Sequence, residues 1–346
     1  MAIINTFGAK KICDTTIHQR HCQACRGGSL NRFLCNQRQR KGDAYQRAKK
    51  IRKIIKDTGY IPNRSAASLR TGKTHVIGLI VEDISNIFFS LLAKAIEDVA
   101  YKVGYRVVYC STENNDSKGA ELIRMLYKQV DGFIITPSSG MLNEVVKLKN
   151  TKKPVVLLDR YFPGTGLPAV LVNNKGCIEK GVNLLVNKGY RNIAFVVTAL
   201  EQMQMRERLD AFTDSIKKHN VHKTSFVLKL PFSVKEGAYE NRIKKFLNNN
   251  PGIDALFFAT NYLSLQGLKV LQELQWNIPG RVGVLSFDDH DIFKLYTPSV
   301  TAINQPVAEI ARRGIEILNR QIKDGENGNE NQPLLLNAKL IIRNSL

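Results

Sequence analysis

From Thr74 onward, short apolar runs alternate with stretches whose apolar residues recur at helical spacing. "HVIGLIV" (75–81) predicts a strand and 87–103 a helix; "YRVVYC" (105–110) precedes a helix over 118–129. "GFIIT" (132–136) precedes a helix over 141–149, and "PVVLLD" (154–159) closes that series. A second series begins with a helix over 175–188 and "IAFVV" (193–197). It continues with a helix over 205–219, "SFVLKL" (225–230), a helix over 234–248 and "ALFFAT" (255–260). A helix over 262–274 and "VGVLSF" (282–287) complete it. Near-continuous apolar strands separated by amphipathic helices predict parallel sheets covered on both faces. Two such series predict an α/β core of two similar lobes. Ligands of such sheets sit at the carboxyl ends of the strands, here in the cleft between lobes. "KDGENGNENQP" (323–333) reads as a polar loop before a last strand in "AKLIIR".

The chain before Thr74 is different. Residues 1–73 carry 17 Lys/Arg against 3 Asp/Glu, or +14; the other 273 residues carry 34 against 27, or +7. Most of the net charge of +21 therefore lies in an arm of about one-fifth of the chain. Such an arm suits a polyanion, nucleic acid before an acidic membrane surface, although a solvated tail has the same composition. Cys13, Cys22, Cys25 and Cys35 crowd the arm with His18 and His21, but a second ligand pair at zinc-finger spacing is missing, so no metal site is expected. Cys110 and Cys177 lie in or beside apolar segments and read as buried packing residues. No apolar run reaches the ~20 residues of a membrane span, and the first residues lack a secretory apolar stretch, so a cytoplasmic location is expected. No nucleophile–base, phosphate-loop or zinc-hydrolase motif stands out; neither catalysis nor a cofactor is expected.

Between the two regions lies "YIPNRSAASLRTGK". Pro62 ends the helix predicted over 47–56, and Asn63 can cap a new one. That helix has Ala66 and other small residues, one large apolar side chain (Leu69), and the cations Arg64, Arg70 and Lys73. It can lie in a DNA minor groove, with Leu69 wedged between base steps and the cations on phosphates. An ordinary linker helix with Leu69 packed on the next domain remains the alternative.

"GYIPNRSAASLRTGKTHVIGLIVEDISNIFF" resembles the hinge and first core strand of LacI-family transcriptional regulators. The resemblance continues through "VVLLDR" (155–160), "RERLDAF" (206–212), "VLSFDD" (284–289), "INQPVAEIARRGIEIL" (303–318) and "LIIRNS" (340–345). It implies an N-terminal DNA-binding region over 1–62, a hinge and linker over 63–73, and a periplasmic-binding-protein-like core over 74–346. Lobe one would take 74–160 and 291–322, and lobe two 161–290 and 323–346. The resemblance further implies a homodimer, operator DNA as partner, and a small effector between the lobes, often a sugar or nucleobase. Asn86, Phe88, Arg160, Arg208, Asn261 and Asp288 would face that effector. Arg160 is expected at the crossing into the second lobe, Arg208 as a guanidinium fork and Asp288 as an acceptor. Tyr262 and Ala211 depart from the family, which often has Asp and Gly there. Together these features predict a ligand-responsive regulator, a repressor in the usual case; the alternative is a sugar-binding protein of the same fold that no longer binds DNA.

The arm departs further. Residues 1–40 lack the apolar spacing of the family's helix-turn-helix and carry Gly8, Gly27 and Gly28; the pattern resumes only around "DAYQRAKKIRKIIKDTGYIPN". Read from each codon's third base, allowed codons for Lys10–Ala24 can spell K-D-L and P-S-A-T-L-S-S in one frame, and both resemble family signatures. Two readings follow: a frameshift upstream of about Lys41, restored before Gly42, or a divergent Cys/His arm that binds zinc and then DNA.

Overall fold

A computed structural model describes residues 45–50, 53, 54, 57, 72–198, 202–220, 226–231, 237–325 and 332–346. The chain divides into two compact units, Met1–Thr71 and Gly72–Leu346. In the first, residues 45–50, 53, 54 and 57 are helical, within or beside the helix predicted over 47–56. The arm's cysteines and hinge residues 63–71 lie outside the described residues. Lys73 is described, half-buried just ahead of the first strand.

The second unit is the α/β core. Thr74 and His75 give their backbone N–H groups to the Asp131 carboxylate at 2.7 and 2.9 Å, which ties the start of the core to the turn before its third strand. One sheet contains β1 (Val76–Val81), β2 (Arg106–Ser111), β3 (Gly132–Ile135), β4 (Val155–Leu158), β5 (Ala169–Val172) and β11 (Leu334–Leu336), in the order β11-β5-β4-β3-β1-β2. All its pairs are parallel. The other contains β6 (Ile193–Thr198), β7 (Phe226–Leu230), β8 (Ala255–Phe258), β9 (Gly283–Phe287), β10 (Thr301–Asn304) and β12 (Lys339–Ile341), in the order β12-β10-β9-β8-β6-β7. Only the β10–β12 pair is antiparallel.

Helices cover both faces of each sheet, as the unbroken apolar strands predict. Along β1, Ile77, Leu79 and Val81 join the cluster of α1 (Ile87–Lys102) and α9 (Val307–Asp324). Ile80 points the other way, to the cluster of α2 (Asp116–Leu126) and α3 (Leu142–Asn150). In the second lobe, α4 (Asn174–Asn187) and α5 (Met203–Lys218) cover one face, and α6 (Ala238–Asn249) and α7 (Asn261–Glu273) the other. At Gly181 of α4 a Cβ would lie 2.7 Å from the Phe257 ring and 2.9 Å from Leu285, so the helix approaches the sheet as only glycine permits. A short α8 (Asp291–Leu295) follows β9.

The chain crosses between lobes three times, after β5, β10 and β11, which corrects the expected boundaries at 160, 290 and 322. β5 follows β4 with no helix between them, so the strand–helix rhythm ends one strand early. Residues 291–304 belong to lobe two, and β11 to lobe one. Two crossings run side by side: Asn173 donates from its backbone to the Leu336 carbonyl at 2.8 Å, and from its amide to Asn337 Oδ1 at 3.2 Å. Cys177 is buried as expected, whereas Cys110, on edge strand β2, is half-buried. No helix among the described residues is long and apolar enough to cross a membrane.

Candidate functional site

The carboxyl ends of both sheets carry a concentration of buried polar groups. In the first lobe β1 ends in Glu82 and β4 in Asp159-Arg160, all polar residues placed directly after apolar runs. Asp159 adopts φ 64°, and Arg160 N–H bonds back to the Leu158 carbonyl at 2.7 Å, a three-residue turn around the aspartate. Arg160 is 5% exposed, and its Nη2 forms an ion pair with Glu82 Oε2. Nη1 lies 3.4 Å from Asn114 Oδ1 and from the Pro137 carbonyl. Nε lies 3.4 Å from Asp159 Oδ2 but is misaligned for a hydrogen bond. Burial lowers the Arg160 guanidinium to about 9, still above neutrality, so it remains a cation facing Glu82.

Lobe two presents Arg208 on α5, 2% exposed. Its Nε donates to Asn174 Oδ1 at 2.9 Å, its Nη1 to the Ala259 carbonyl at 2.7 Å, and its guanidinium lies 3.5 Å from the Phe287 ring centroid. The stack is a desolvated cation–π contact. Asp288 follows β9 with φ 70° and accepts from Gln305 Nε2 at 2.5 Å. Burial pushes its carboxyl up, against the pull of Arg208 and the Gln305 hydrogen bond. Asp159, whose side chain is 9% exposed, is pushed up to about 7: burial dominates, Arg208 opposes it, and Asp288 and Glu207 add to it.

Side chains also join the lobes directly. From the start of α5, Gln202 Nε2 donates to Asn114 Oδ1 at 2.7 Å and approaches Glu82 Oε2 at 3.4 Å; Gln204 Nε2 donates to Asp159 Oδ2 at 3.2 Å.

Seven buried side-chain polar atoms among the described residues have no hydrogen-bond partner. Six of them end or follow strands or open helices at this edge: Thr136 Oγ1, Arg160 Nε, Thr198 Oγ1, Gln204 Oε1, Asn261 Nδ2 and Gln305 Oε1. A buried polar atom left unpaired costs about 1–3 kcal/mol, so this concentration makes the edge the candidate binding site.

Of the six residues expected here, Arg160, Arg208 and Asp288 converge. Asn261 is 2% exposed at the first turn of α7, its amide unpaired. Asn86 is half-buried and caps α1, accepting from Phe88 N–H at 3.0 Å. Phe88 packs edge-on against Phe89 in the core, centroids 5.1 Å apart. Arg160 does not stand at a crossing, because β5 follows it in the same lobe. Glu82, Asn114, Asp159, Asn174, Gln202, Gln204 and Gln305 were not anticipated. Glu82 and Asp159 carried a readable signal, an acid at the carboxyl end of an apolar strand. The asparagines and glutamines carried none.

Residues 182–346 match the family model for a periplasmic binding protein-like domain. The chain is 30% identical over 288 residues to the HTH-type transcriptional regulator RegA of Clostridium saccharobutylicum, covering 81% of this chain and 86% of that protein. It is 29% identical to the HTH-type transcriptional regulator PtxS of Pseudomonas aeruginosa, over 92% of this chain and 91% of that protein. Among solved structures, a periplasmic binding protein/LacI transcriptional regulator from Alkaliphilus metalliredigens QYMF complexed with D-xylulofuranose superposes with a TM-score of 0.67. It is 25% identical, covering 78% of this chain and 98% of that one. The paired parallel sheets, the polar cleft edge and these likenesses together establish that the chain belongs to the LacI family of transcriptional regulators.

Proposed function

We propose that this protein is a ligand-responsive repressor that binds operator DNA through its N-terminal unit and hinge, and a small effector of the sugar class in the inter-lobe cleft. The observation that carries the reading is the set of unpaired buried polar atoms at the cleft edge, suited to the hydroxyl groups of a sugar. Asn261, Arg208 and Asp288 from lobe two and Arg160 from lobe one are the proposed effector contacts; Asn86 and Phe88 act behind them, as cap and core. A sugar bound in the homologous Alkaliphilus protein supports the class. We read the site as binding without catalysis and the protein as cytoplasmic, in keeping with its regulator relatives.

The DNA-binding residues are those of the hinge: Asn63, Arg64, Ala66, Leu69, Arg70 and Lys73. The PtxS likeness spans 92% of the chain, more than the 79% that residues 72–346 make up (275 of 346), so it reaches into the N-terminal unit. Effector binding would shift the population of lobe arrangements and thereby order or release the hinge. A homodimer suits the outer flank of lobe one, where α1 and the open edge of β2 expose Leu91, Tyr101, Val103, Val108 and Tyr109.

A second reading is a sugar-binding protein that has lost DNA binding, favoured by the missing helix-turn-helix pattern in residues 1–40. Gel shifts on the region upstream of the protein's own gene, with this chain and a frame-restored version, separate the two. A salt-sensitive complex with this chain supports the regulator; a complex with the restored version alone supports the DNA-dead reading; failure of both removes the DNA role.

A further inference from the structure

An acidic or phosphorylated effector needs an uncommitted cation, and Arg160, the buried cation of lobe one at this edge, is already paired with an acid. Arg160 has Glu82 on Nη2, the Asn114 and Pro137 oxygens beside Nη1, and Asp159 beside Nε. Asn114 also donates to Glu82 Oε1 at 2.7 Å and so holds the carboxylate against the guanidinium. Arg208 has given Nε and Nη1 to Asn174 and the Ala259 carbonyl, with its plane over Phe287.

Three carboxyl groups line this edge: Glu82 stands directly on Arg160, while burial favours the neutral forms of Asp159 and Asp288. Tyr262, the residue standing where the family often has Asp, contributes a phenol that burial pushes up to about 12, so it remains an uncharged hydroxyl. An anion entering the cleft would lose its hydration and, in lobe one, meet a guanidinium already paired with the Glu82 carboxylate. Among the groups without partners, the Thr136 hydroxyl, the Gln204 and Gln305 amide oxygens and the Asn261 amide nitrogen are neutral donors and acceptors, the complement of hydroxyl groups.

We infer that Glu82 is a specificity-determining residue that closes the cleft to anions, so that the effector is an uncharged polyhydroxylated molecule and not its acid or phosphorylated form. The inference rests on the proposed sugar-class site. Glu82 occupies the Arg160 guanidinium, the group at this edge of lobe one whose planar fork would otherwise hold a carboxylate or phosphate.

The test is calorimetry and thermal shift of the full chain with matched probes: D-glucose, D-gluconate and D-glucose 6-phosphate; D-ribose and D-ribose 5-phosphate; and inorganic phosphate. The wild type is expected to bind a neutral sugar at least about tenfold more tightly than its anionic counterparts. Glu82→Gln, checked for folding by circular dichroism, is expected to gain about tenfold or more in affinity for an anionic probe. An anionic sugar binding the wild type as well as its neutral counterpart would overturn the inference, and that comparison needs no variant. So would a folded E82Q that gains no anion binding; if a neutral sugar still binds, the sugar-class reading survives alone. Anion gain in E82Q with no neutral sugar bound leaves Glu82 as the charge gate and removes the sugar-class reading. Binding of no probe to either protein removes both.

Discussion

The two lobes share one strand order, so β4 and β9 are counterparts, and each is followed by an aspartate in left-handed backbone: Asp159 at φ 64° and Asp288 at φ 70°. The following residues part company. Arg160 joins Glu82 within the cleft edge, whereas Asp289 forms a two-pronged ion pair with Arg343 of the C-terminal segment, at 2.8 and 2.6 Å. Lobe one thus pairs Arg160 with an acid of its own cleft edge, while lobe two braces Arg208 on a backbone carbonyl, an asparagine and a ring. The same backbone device presents a carboxylate from each side, while the next residue turns its charge to the cleft edge in one lobe and to the C-terminal segment in the other.

The largest effect expected from breaking this arrangement is in lobe two. Arg208→Ala removes the cation that opposes the burial of both Asp288 and Asp159. Denaturant unfolding at neutral pH should show a loss of about 3–5 kcal/mol, the usual cost of stranding buried charge. A loss below about 1 kcal/mol would mean that Arg208 acts only on ligand.

Asp159 tests the other side. Its carboxyl is held protonated up to about pH 7 in the folded state and ionises near 3.9 when unfolded, so the wild type loses stability as pH rises through that window. Asp159→Asn, which tolerates left-handed backbone, is neutral throughout. Between pH 5 and pH 8 its stability relative to wild type should rise by about 2–3 kcal/mol, measured by unfolding at both values. A pH-independent difference would remove the assignment.

The smallest effect separates cap from ligand contact. Asn86→Ala should cost about 1 kcal/mol through loss of the helix cap, and Asn86→Ser should restore most of it. If the serine variant unfolds as readily as the alanine variant, Asn86 has a role beyond capping α1.

Much of the core was legible because its strands are unbroken apolar runs and several of its helices begin at side-chain caps, Asn86, Asn115, Asn173 and Thr260 among them. β5 escaped because no helix precedes it, and α8 because it is only five residues long. At the candidate site, Arg160, Arg208 and Asp288 were expected from motif position, and the structure places them at the same buried edge. Glu82 carried the signal of an acid at the end of an apolar strand, but its partner Arg160 lies 78 residues away, so the pairing itself was not legible.

The amino-acid order alone determined that two parallel, doubly covered sheets would form, since apolar periodicity is a local property of the chain. It also placed the basic excess in the arm. Only the tertiary structure decided where the chain crosses between lobes and which charges cancel, because Glu82, Asn114, Arg160 and Gln202 are far apart in sequence. Whether a buried arginine is available to a ligand depends on its neighbours in space.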